Sequence, residues 1–178
     1  KQIRTAALTQ QQVASLTTLQ VGALSAAGVR AFSVEQIAAL TSLQAPALTT
    51  AQVAVLTTAQ IAALETTDLQ AMTTVQVGVL SSSQTFALTV EQVAALTPAQ
   101  VSVLSTAAVR GLSSAQIAAL TSAQVAALTT TQVTTLTAAQ ILAVEIADLQ
   151  ALTTVQIAAV APAQVASFSM EQIAGLTS

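Results

Sequence analysis

Four carboxylates stand in two pairs along the chain, and within each pair the two acids are three residues apart: Glu65 with Asp68, and Glu145 with Asp148. Such pairs could act as general acid and base, or as oxygen ligands of Ca²⁺. Calcium takes six to eight oxygens, usually from several carboxylates. Because basic residues recur in step with the acids, as described below, the sequence favours a structural ion ladder and predicts no metal site.

Hydroxyl groups are abundant, but no residue type that commonly activates them accompanies them. The chain has no His, Cys, Tyr, Trp or Asn, and its one lysine is Lys1. A Ser or Thr nucleophile needs a neighbouring base or a similar activating group. We therefore predict that the protein is not an enzyme and carries no cofactor.

The composition excludes two classes of partner. Charged residues make up 6% of the sequence, the net charge is −3, and Lys and Arg together number 4. This leaves no basic patch for nucleic acid or an anionic membrane surface. Apolar runs are interrupted by Thr, Ser or Gln well before the ~18 residues that a membrane span needs. The lack of cysteine is compatible with an oxidising exterior.

An eight-residue frame organises the whole chain, and we number its positions by the remainder on division by eight. Position 8 is large and apolar at all 22 sites from Leu8 to Leu176, and position 1 is Thr or Ser at 19 of 22 sites. Position 5 is Val, Ile or Leu except at Ala45 and Thr85, and position 4 is Gln at 17 of 21 sites. The consensus reads L-T-T-A-Q-V-A-A.

This frame predicts a chain of short helices, each newly started. In one continuous helix the leucine row would drift by about 80° per octad, and in a strand neither face would be apolar. Thr at position 1 and Gln at position 4 form a capping box, the signature of a helix start. Pro98 and Pro162 fix the register, because both occupy position 2, the first helical residue, where proline is favoured.

We predict an all-α fold: a solenoid with one short helix per octad, forming a single array over residues 1–178. Positions 5 and 8 lie on one helical face and should be buried, including Leu56 and Leu120, while position 6 should face outward. Phe86, at position 6, is a candidate for a lateral contact. Pro46, late in its octad, should shorten that helix.

A second period of forty residues is superimposed on the first. Position 4 lacks Gln at Gly28, Asp68, Ala108 and Asp148, which are forty residues apart, and octads with arginine alternate with octads carrying acids. We hypothesise that forty residues, or five helices, make one turn; a turn of twenty residues would give the same alignment. The resulting ion ladder of alternating sign would consist of Arg30, Glu65, Asp68, Arg110, Glu145 and Asp148.

Two stretches resemble known families. The six residues "LTPAQV" resemble the start of the repeats of transcription-activator-like effectors, which are longer and carry base-reading loops and many cations that are absent here. The tract "ALTTAQVAVLTTAQIAALETTDLQAMTTVQV" resembles the octad arrays of very large bacterial surface or secreted exoproteins labelled as adhesion or haem-utilisation related. That resemblance covers the entire chain and implies an exported role at the bacterial cell surface. Haem itself finds no His, Cys or Tyr ligand in this sequence.

Two functions of different classes follow from this reading. The first is a stiff extracellular stalk, fibre or filament, with self-association as a homopolymer or continuation of the same chain as a longer array. The second is a surface that binds a repetitive ligand, ice or polysaccharide, through a row of threonines at position 2. The predicted members of that row are Thr18, Thr50, Thr58, Thr66 and Thr74, and the residues that interrupt it are Ala26, Val34, Pro98, Ala138, Ile146 and Pro162.

Overall fold

The computed structural model describes residues 7–176, and over this range the chain forms twenty short α-helices and one 3₁₀ helix. Consecutive helices are separated by two to four residues, apart from the stretch that contains the 3₁₀ helix Ala45–Ala47. The α-helices are α1 (Gln10–Ala14), α2 (Thr18–Ala23), α3 (Ala26–Arg30), α4 (Val34–Ala38), α5 (Thr50–Ala54), α6 (Thr58–Ala63), α7 (Thr66–Ala71), α8 (Thr74–Gly78), α9 (Ser82–Ala87), α10 (Val90–Ala95), α11 (Pro98–Ser102), α12 (Thr106–Gly111), α13 (Ser114–Ala118), α14 (Ser122–Ala127), α15 (Thr130–Thr135), α16 (Ala138–Ala143), α17 (Ile146–Gln150), α18 (Thr154–Ala159), α19 (Pro162–Val165) and α20 (Met170–Leu176).

Every α-helix begins at position 2 of its octad, as the capping boxes predict. In α11 the backbone N–H of Thr97 donates to Oε1 of Gln100 over 2.9 Å, and the N–H of Gln100 donates to the Thr97 hydroxyl over 3.2 Å. Thr97 itself is extended, with φ −71° and ψ 153°, so the previous helix cannot run through it. Pro98 and Pro162 are the first residues of their helices, which confirms the register.

The helices form three stacks, because the helices that pack on each other start 24 residues apart. The first stack is α1, α4, α6, α9, α12, α15 and α18. The second is α2, the 3₁₀ helix, α7, α10, α13 and α16, and the third is α3, α5, α8, α11, α14, α17 and α20. One turn of the solenoid is therefore three octads, and the chain bends at each Leu–Thr joint to pass from one stack to the next.

The hypothesis of five helices per turn is wrong, and so is the alternative of twenty residues. Forty and twenty are not multiples of 24, so successive members of the set of position-4 residues that break the glutamine row fall on different stacks. Arg30 lies in the third stack on α3, Asp68 in the second on α7, and Arg110 in the first on α12. The period of forty is a period of composition that the superhelical turn does not follow.

The core runs the length of the solenoid and consists of the residues at positions 5 and 8. Leu56 and Leu120 are buried, as are position-5 residues from Val13 to Leu149. The predicted inner face is confirmed over this range. Position 6 faces outward, and Phe86 is 64% exposed there.

Pro46 changes the octad that contains it, as its position predicts. Without an amide hydrogen it cannot continue a helix, and its ring clashes with the preceding turn. Residues 42–48 accordingly form a turn and the 3₁₀ helix Ala45–Ala47 in place of an α-helix. The stack nevertheless continues through this segment, because α2 and α7 both pack on it.

Helices α9 and α12 pack closely because α12 ends in glycine. A Cβ atom at Gly111 would lie 2.5 Å from the carbonyl oxygen and 2.8 Å from the Cα of Ser82. The hydroxyl of Thr85, which is buried at position 5, donates to the Ala108 carbonyl over 2.8 Å across the same contact. Thr85 is polar at a position that is otherwise apolar, and its hydroxyl thus has a hydrogen-bond acceptor on the neighbouring helix.

We expect Gly111→Ala to lower the free energy of unfolding by about 2 kcal/mol, since the new methyl group must push α9 and α12 apart. Gly78→Ala is the matched control. Its Cβ would meet Val103 at 3.4 Å and beyond, which is ordinary contact. Alanine is the better helix former, so this control should stabilise the protein by up to about 1 kcal/mol. Urea unfolding followed by circular dichroism compares the stabilities of the two variants. Equal effects would contradict the close packing of α9 on α12 at Gly111.

Candidate functional site: the glutamine clamps and the two end faces

Each position-4 glutamine from Gln44 to Gln172 joins two turns of the solenoid. Its Oε1 accepts the backbone N–H of position 1 in its own octad, and its Nε2 donates to carbonyls of the octad four places earlier. For Gln100 the acceptors are the carbonyls of Leu69 at 2.9 Å and Met72 at 2.7 Å. For Gln124 they are the carbonyls of Val93 at 2.9 Å and Leu96 at 2.6 Å. We call this arrangement a glutamine clamp.

The clamps satisfy backbone groups that short helices leave without partners. A helix has four unpaired N–H groups at its start and four unpaired carbonyls at its end, and a five-residue helix consists mostly of such ends. In each clamp the glutamine Oε1 accepts an N–H group at the start of its own helix, and Nε2 donates to carbonyls at the end of a helix in the preceding turn. The clamping side chains are buried, so the bonds they make are not exchanged with water. Gln44 keeps its clamp to Val13 and Leu16 even though Pro46 removes the helix.

Asp68 stands at position 4, where other octads have the clamping glutamine, and it makes none of the hydrogen bonds of a clamp. The residue is 1% exposed, and its Oδ2 is buried without a hydrogen-bond partner. A glutamine at this site would be expected to donate to the carbonyls of Ile37 and Leu40, by the offsets that Gln100 shows, and a carboxylate cannot replace that donor. Burial, and secondly the charge of Glu65, raise the pKa of Asp68 to about 6.

The other members of the predicted ion ladder are also placed apart from one another. The Arg30 guanidinium donates to the Val55 carbonyl at 3.3 Å, on the next helix of its own stack. Asp148 is buried, and its Oδ1 accepts the Ser122 hydroxyl at 2.6 Å. Glu65 and Glu145 are exposed directly before α7 and α17, and Arg110 is exposed on α12. The predicted ion ladder required these residues to align once per forty-residue turn. Because the turn is 24 residues, the ladder is not formed.

The two ends of the described array expose different groups. At the N-terminal end Gln12 and Gln20 are exposed, although position 4 is buried from Gln36 onward at every site that carries Gln. At the C-terminal end position 5 is exposed: Ile157 by 43%, Val165 by 48% and Ile173 by 46%. Position 4 is therefore covered by the preceding turn and position 5 by the following one, which gives the solenoid a direction.

The threonines predicted as one row are distributed over all three stacks. Thr18 and Thr66 begin helices of the second stack, Thr50 and Thr74 helices of the third, and Thr58 a helix of the first. A different hydroxyl row results from the packing. It consists of the first residues of five successive helices of the first stack: Thr58, Ser82, Thr106, Thr130 and Thr154.

Phe86 lies beside this hydroxyl row. Its ring lines an open groove with Thr58, Ser82, Ser83 and Gly111. The lateral contact predicted for Phe86 has no partner chain to show it, so it stays a prediction.

The described residues contain no group of three or more His, Cys, Asp or Glu that could hold a metal ion. No helix within residues 7–176 has the length and apolar character to cross a membrane.

The capping half of each clamp is predicted by the sequence pattern, but the half that bonds to the preceding turn is not. A capping box explains why Gln follows Thr by three residues, but a glutamate would serve that purpose equally well. The preference for Gln at 17 sites, with Glu at none of the position-4 sites, was the signal that a donor is needed as well. That donor reaches an octad 28 to 31 residues earlier, as the Gln44 bonds illustrate.

Comparison with known families gives one result. A family model described as the ALTTAQ repeat matches the chain four times, at residues 18–50, 61–98, 97–130 and 141–178, which together make up most of its length. The six letters occur unchanged at Ala47–Gln52 and span a core leucine, a capping threonine and a clamping glutamine. No curated protein and no solved structure gives a significant match.

Proposed function

The chain belongs to the ALTTAQ repeat family, and on that premise we propose that it is a structural segment of a bacterial stalk, fibre or filament outside the cell, with a role in adhesion. The observation that carries the proposal is the glutamine clamp. Each turn is tied to the next by buried hydrogen bonds in addition to apolar packing, so the array gains length without a globular core. A spacer needs this property.

The sequence supports the location and the adhesive role. The octad tract resembles arrays of very large bacterial surface exoproteins, and the absence of cysteine is compatible with an oxidising exterior. The low content of Lys and Arg supports a role without nucleic acid. Self-association, or continuation of the frame in a longer array, would provide the length that a stalk requires.

Stiffness and length can be measured on arrays of different size. We expect each three added octads to lengthen the particle by about 8 to 10 Å, the usual distance between packed helices, at constant cross-section. Small-angle X-ray scattering on arrays that differ by whole turns gives both quantities. A cross-section that grows with octad number, or a flexible-chain profile, would contradict the spacer function.

A second candidate function is binding of a repetitive ligand, ice or polysaccharide, along the first stack. The hydroxyl row from Thr58 to Thr154 favours it, because the packed helices place one hydroxyl residue on each turn. Thermal-hysteresis and glycan-binding assays test this candidate. Activity that is lost in Thr106→Lys with Thr130→Lys would favour it over the spacer; inactivity of the unaltered chain would dismiss it.

A further inference from the structure

The buried carboxylate of Asp68 has neither a hydrogen-bond donor at Oδ2 nor a basic partner. The side chain is 1% exposed, and Oδ2 accepts no hydrogen bond. The two arginines of the described residues lie elsewhere, since Arg30 donates to the Val55 carbonyl and Arg110 is exposed on α12, in another stack. A buried charge is costly unless it is paired or coordinates a metal. Because the ion ladder is not formed, the charge of Asp68 needs another partner.

The direction of the Asp68 side chain follows from the clamps on either side of it. Gln60, one octad earlier, and Gln76, one octad later, both donate to carbonyls 31 and 28 residues before them. The array is therefore regular on both sides of α7. The same two offsets from Asp68 lead to the carbonyls of Ile37 and Leu40, on the preceding turn.

Asp148 shows that an aspartate at position 4 reaches the preceding turn. The segment IAALTS occurs 31 to 26 residues before both Asp68 and Asp148, so the two acids meet the same local sequence. Oδ1 of Asp148 accepts the hydroxyl of Ser122, the last residue of that segment, over 2.6 Å. The corresponding hydroxyl before Asp68 belongs to Ser42, and no hydrogen bond joins these two residues. Asp68 thus lacks the donor that Asp148 has.

We propose that Asp68 and the carbonyl oxygens of Ile37 and Leu40 bind a monovalent cation, Na⁺, between two turns of the solenoid. Oxygen is the ligand atom that hard cations prefer. The Leu40 carbonyl accepts no hydrogen bond from the described residues, so its oxygen is available to an ion. The cation takes the place of the Nε2 donor and joins the two turns as a clamp does. The site goes beyond the structural function proposed above and does not depend on it.

Size and charge favour Na⁺ over other cations. An aspartate side chain is shorter than a glutamine by one carbon–carbon bond, about 1.5 Å, so it ends short of carbonyls that a glutamine would contact. Na⁺ has nearly the radius of Ca²⁺, whose oxygen ligands lie at about 2.3 to 2.6 Å, and it can bridge such a gap. K⁺ is larger. One positive charge balances the one buried carboxylate, since Glu65 of the same octad is exposed.

Replacing Na⁺ by choline tests the site, because choline is too large to enter between the turns. Thermal unfolding of the unaltered chain at neutral pH is followed by circular dichroism in NaCl and in choline chloride of equal ionic strength. A cation that binds the folded state alone stabilises it, so the midpoint should be higher in NaCl by about 3 °C or more. KCl and CaCl₂ at the same ionic strength should give less than half of this shift.

Two asparagine variants locate the effect. Asp68→Asn removes the charge and keeps the size of the side chain, so its midpoint should be the same in NaCl and in choline chloride. Asp148→Asn is the matched control and should keep the full NaCl shift, because Asp148 already has a donor in Ser122. In choline chloride the charge of Asp68 has no cation, so the gain in stability from Asp68→Asn should be larger there than in NaCl.

Equal midpoints of the unaltered chain in NaCl and choline chloride would overturn the proposal. So would an NaCl shift that Asp68→Asn retains or that Asp148→Asn abolishes. A shift in KCl or CaCl₂ as large as that in NaCl would overturn the assignment to Na⁺. The spacer function is tested separately, since rod length and cross-section are measured by scattering and do not depend on an ion at Asp68.

Discussion

Replacing Gln100 with alanine should lower the free energy of unfolding by about 3 kcal/mol. The residue is buried, and its Nε2 donates to the carbonyls of Leu69 and Met72 while its Oε1 accepts the N–H of Thr97. Alanine leaves these buried backbone groups without that partner, and each unsatisfied group costs roughly 1 to 3 kcal/mol. Urea unfolding followed by circular dichroism measures the difference.

Gln20→Ala is the matched control for the clamp. Gln20 has the same position in the frame and the same capping bond from the N–H of Thr17 at 2.8 Å, but it is exposed at the N-terminal end. Its loss should cost less than about 1 kcal/mol, the usual effect of a cap. Equal costs at Gln20 and Gln100 would show that capping alone explains the glutamine, and that the bonds between turns add nothing.

A glutamate at the same site has nearly the shape of glutamine but lacks its Nε2 donor, so it shows how much of the effect comes from the donor. Gln100→Glu keeps the capping box but directs a carboxylate at the carbonyls of Leu69 and Met72, so at neutral pH we expect a larger loss than for alanine. Because burial would raise the pKa of this carboxyl, the loss should shrink as the pH is lowered.

Removing the charge of Asp68 should stabilise the protein at neutral pH. The pKa of this buried carboxyl is raised from 3.8 to about 6, so the folded state holds its proton more tightly than the unfolded state does. Such a group stabilises the folded state fully when the pH is below the pKa of the group in the unfolded state. This stabilisation is lost as the pH rises through the pKa of the group in the folded state. Asp68→Asn should therefore raise the free energy of unfolding by about 2 kcal/mol at pH 7.5 and leave it nearly unchanged at pH 3.5.

The surrounding charges support this assignment of the pH window. Helix α7 packs on α10 and on the 3₁₀ helix, and the one titratable residue on these two elements is Glu91 of α10, which is exposed. The acid next to Asp68 in its own octad is Glu65, which directly precedes α7. Hydrogen bonds from its own backbone and from Thr89 lower the pKa of Glu91. Its contribution is lost as the pH falls, and it cancels in the difference between Asp68→Asn and the unaltered chain.

Asp148→Asn provides the control for Asp68. Asp148 has the same position in the frame eighty residues later and is also buried, but its Oδ1 accepts the Ser122 hydroxyl at 2.6 Å. An asparagine keeps that acceptor, so the gain at pH 7.5 should be smaller than for Asp68→Asn. Unfolding curves at pH 3.5, 5.5 and 7.5 compare the two; a pH-independent difference for Asp68→Asn would contradict the buried charge.

The local features of the fold could be predicted from the sequence because their causes lie within four residues. Thr97, Pro98 and Gln100 specify a helix start whatever surrounds them, and Pro46 limits the α-helix of its octad wherever that octad is placed. The burial of Leu56 and Leu120 followed from the frame as well, since a helix with one apolar face must cover that face. The helix starts and the burial of these two leucines are confirmed, whereas the octad that Pro46 was predicted to shorten forms a 3₁₀ helix in place of an α-helix.

Tertiary structure alone decided how the octads are arranged around the axis. The number of helices per turn depends on the bend at each Leu–Thr joint and on contacts between residues 24 apart, neither of which leaves a signal in any single octad. The forty-residue spacing of the position-4 exceptions, Gly28, Asp68, Ala108 and Asp148, was a misleading guide, because a period in composition need not equal a turn. The same packing decides that Gln100 reaches Leu69 and Met72: Oε1 is positioned by its own helix start, but the acceptors of Nε2 are defined only once the turns are stacked.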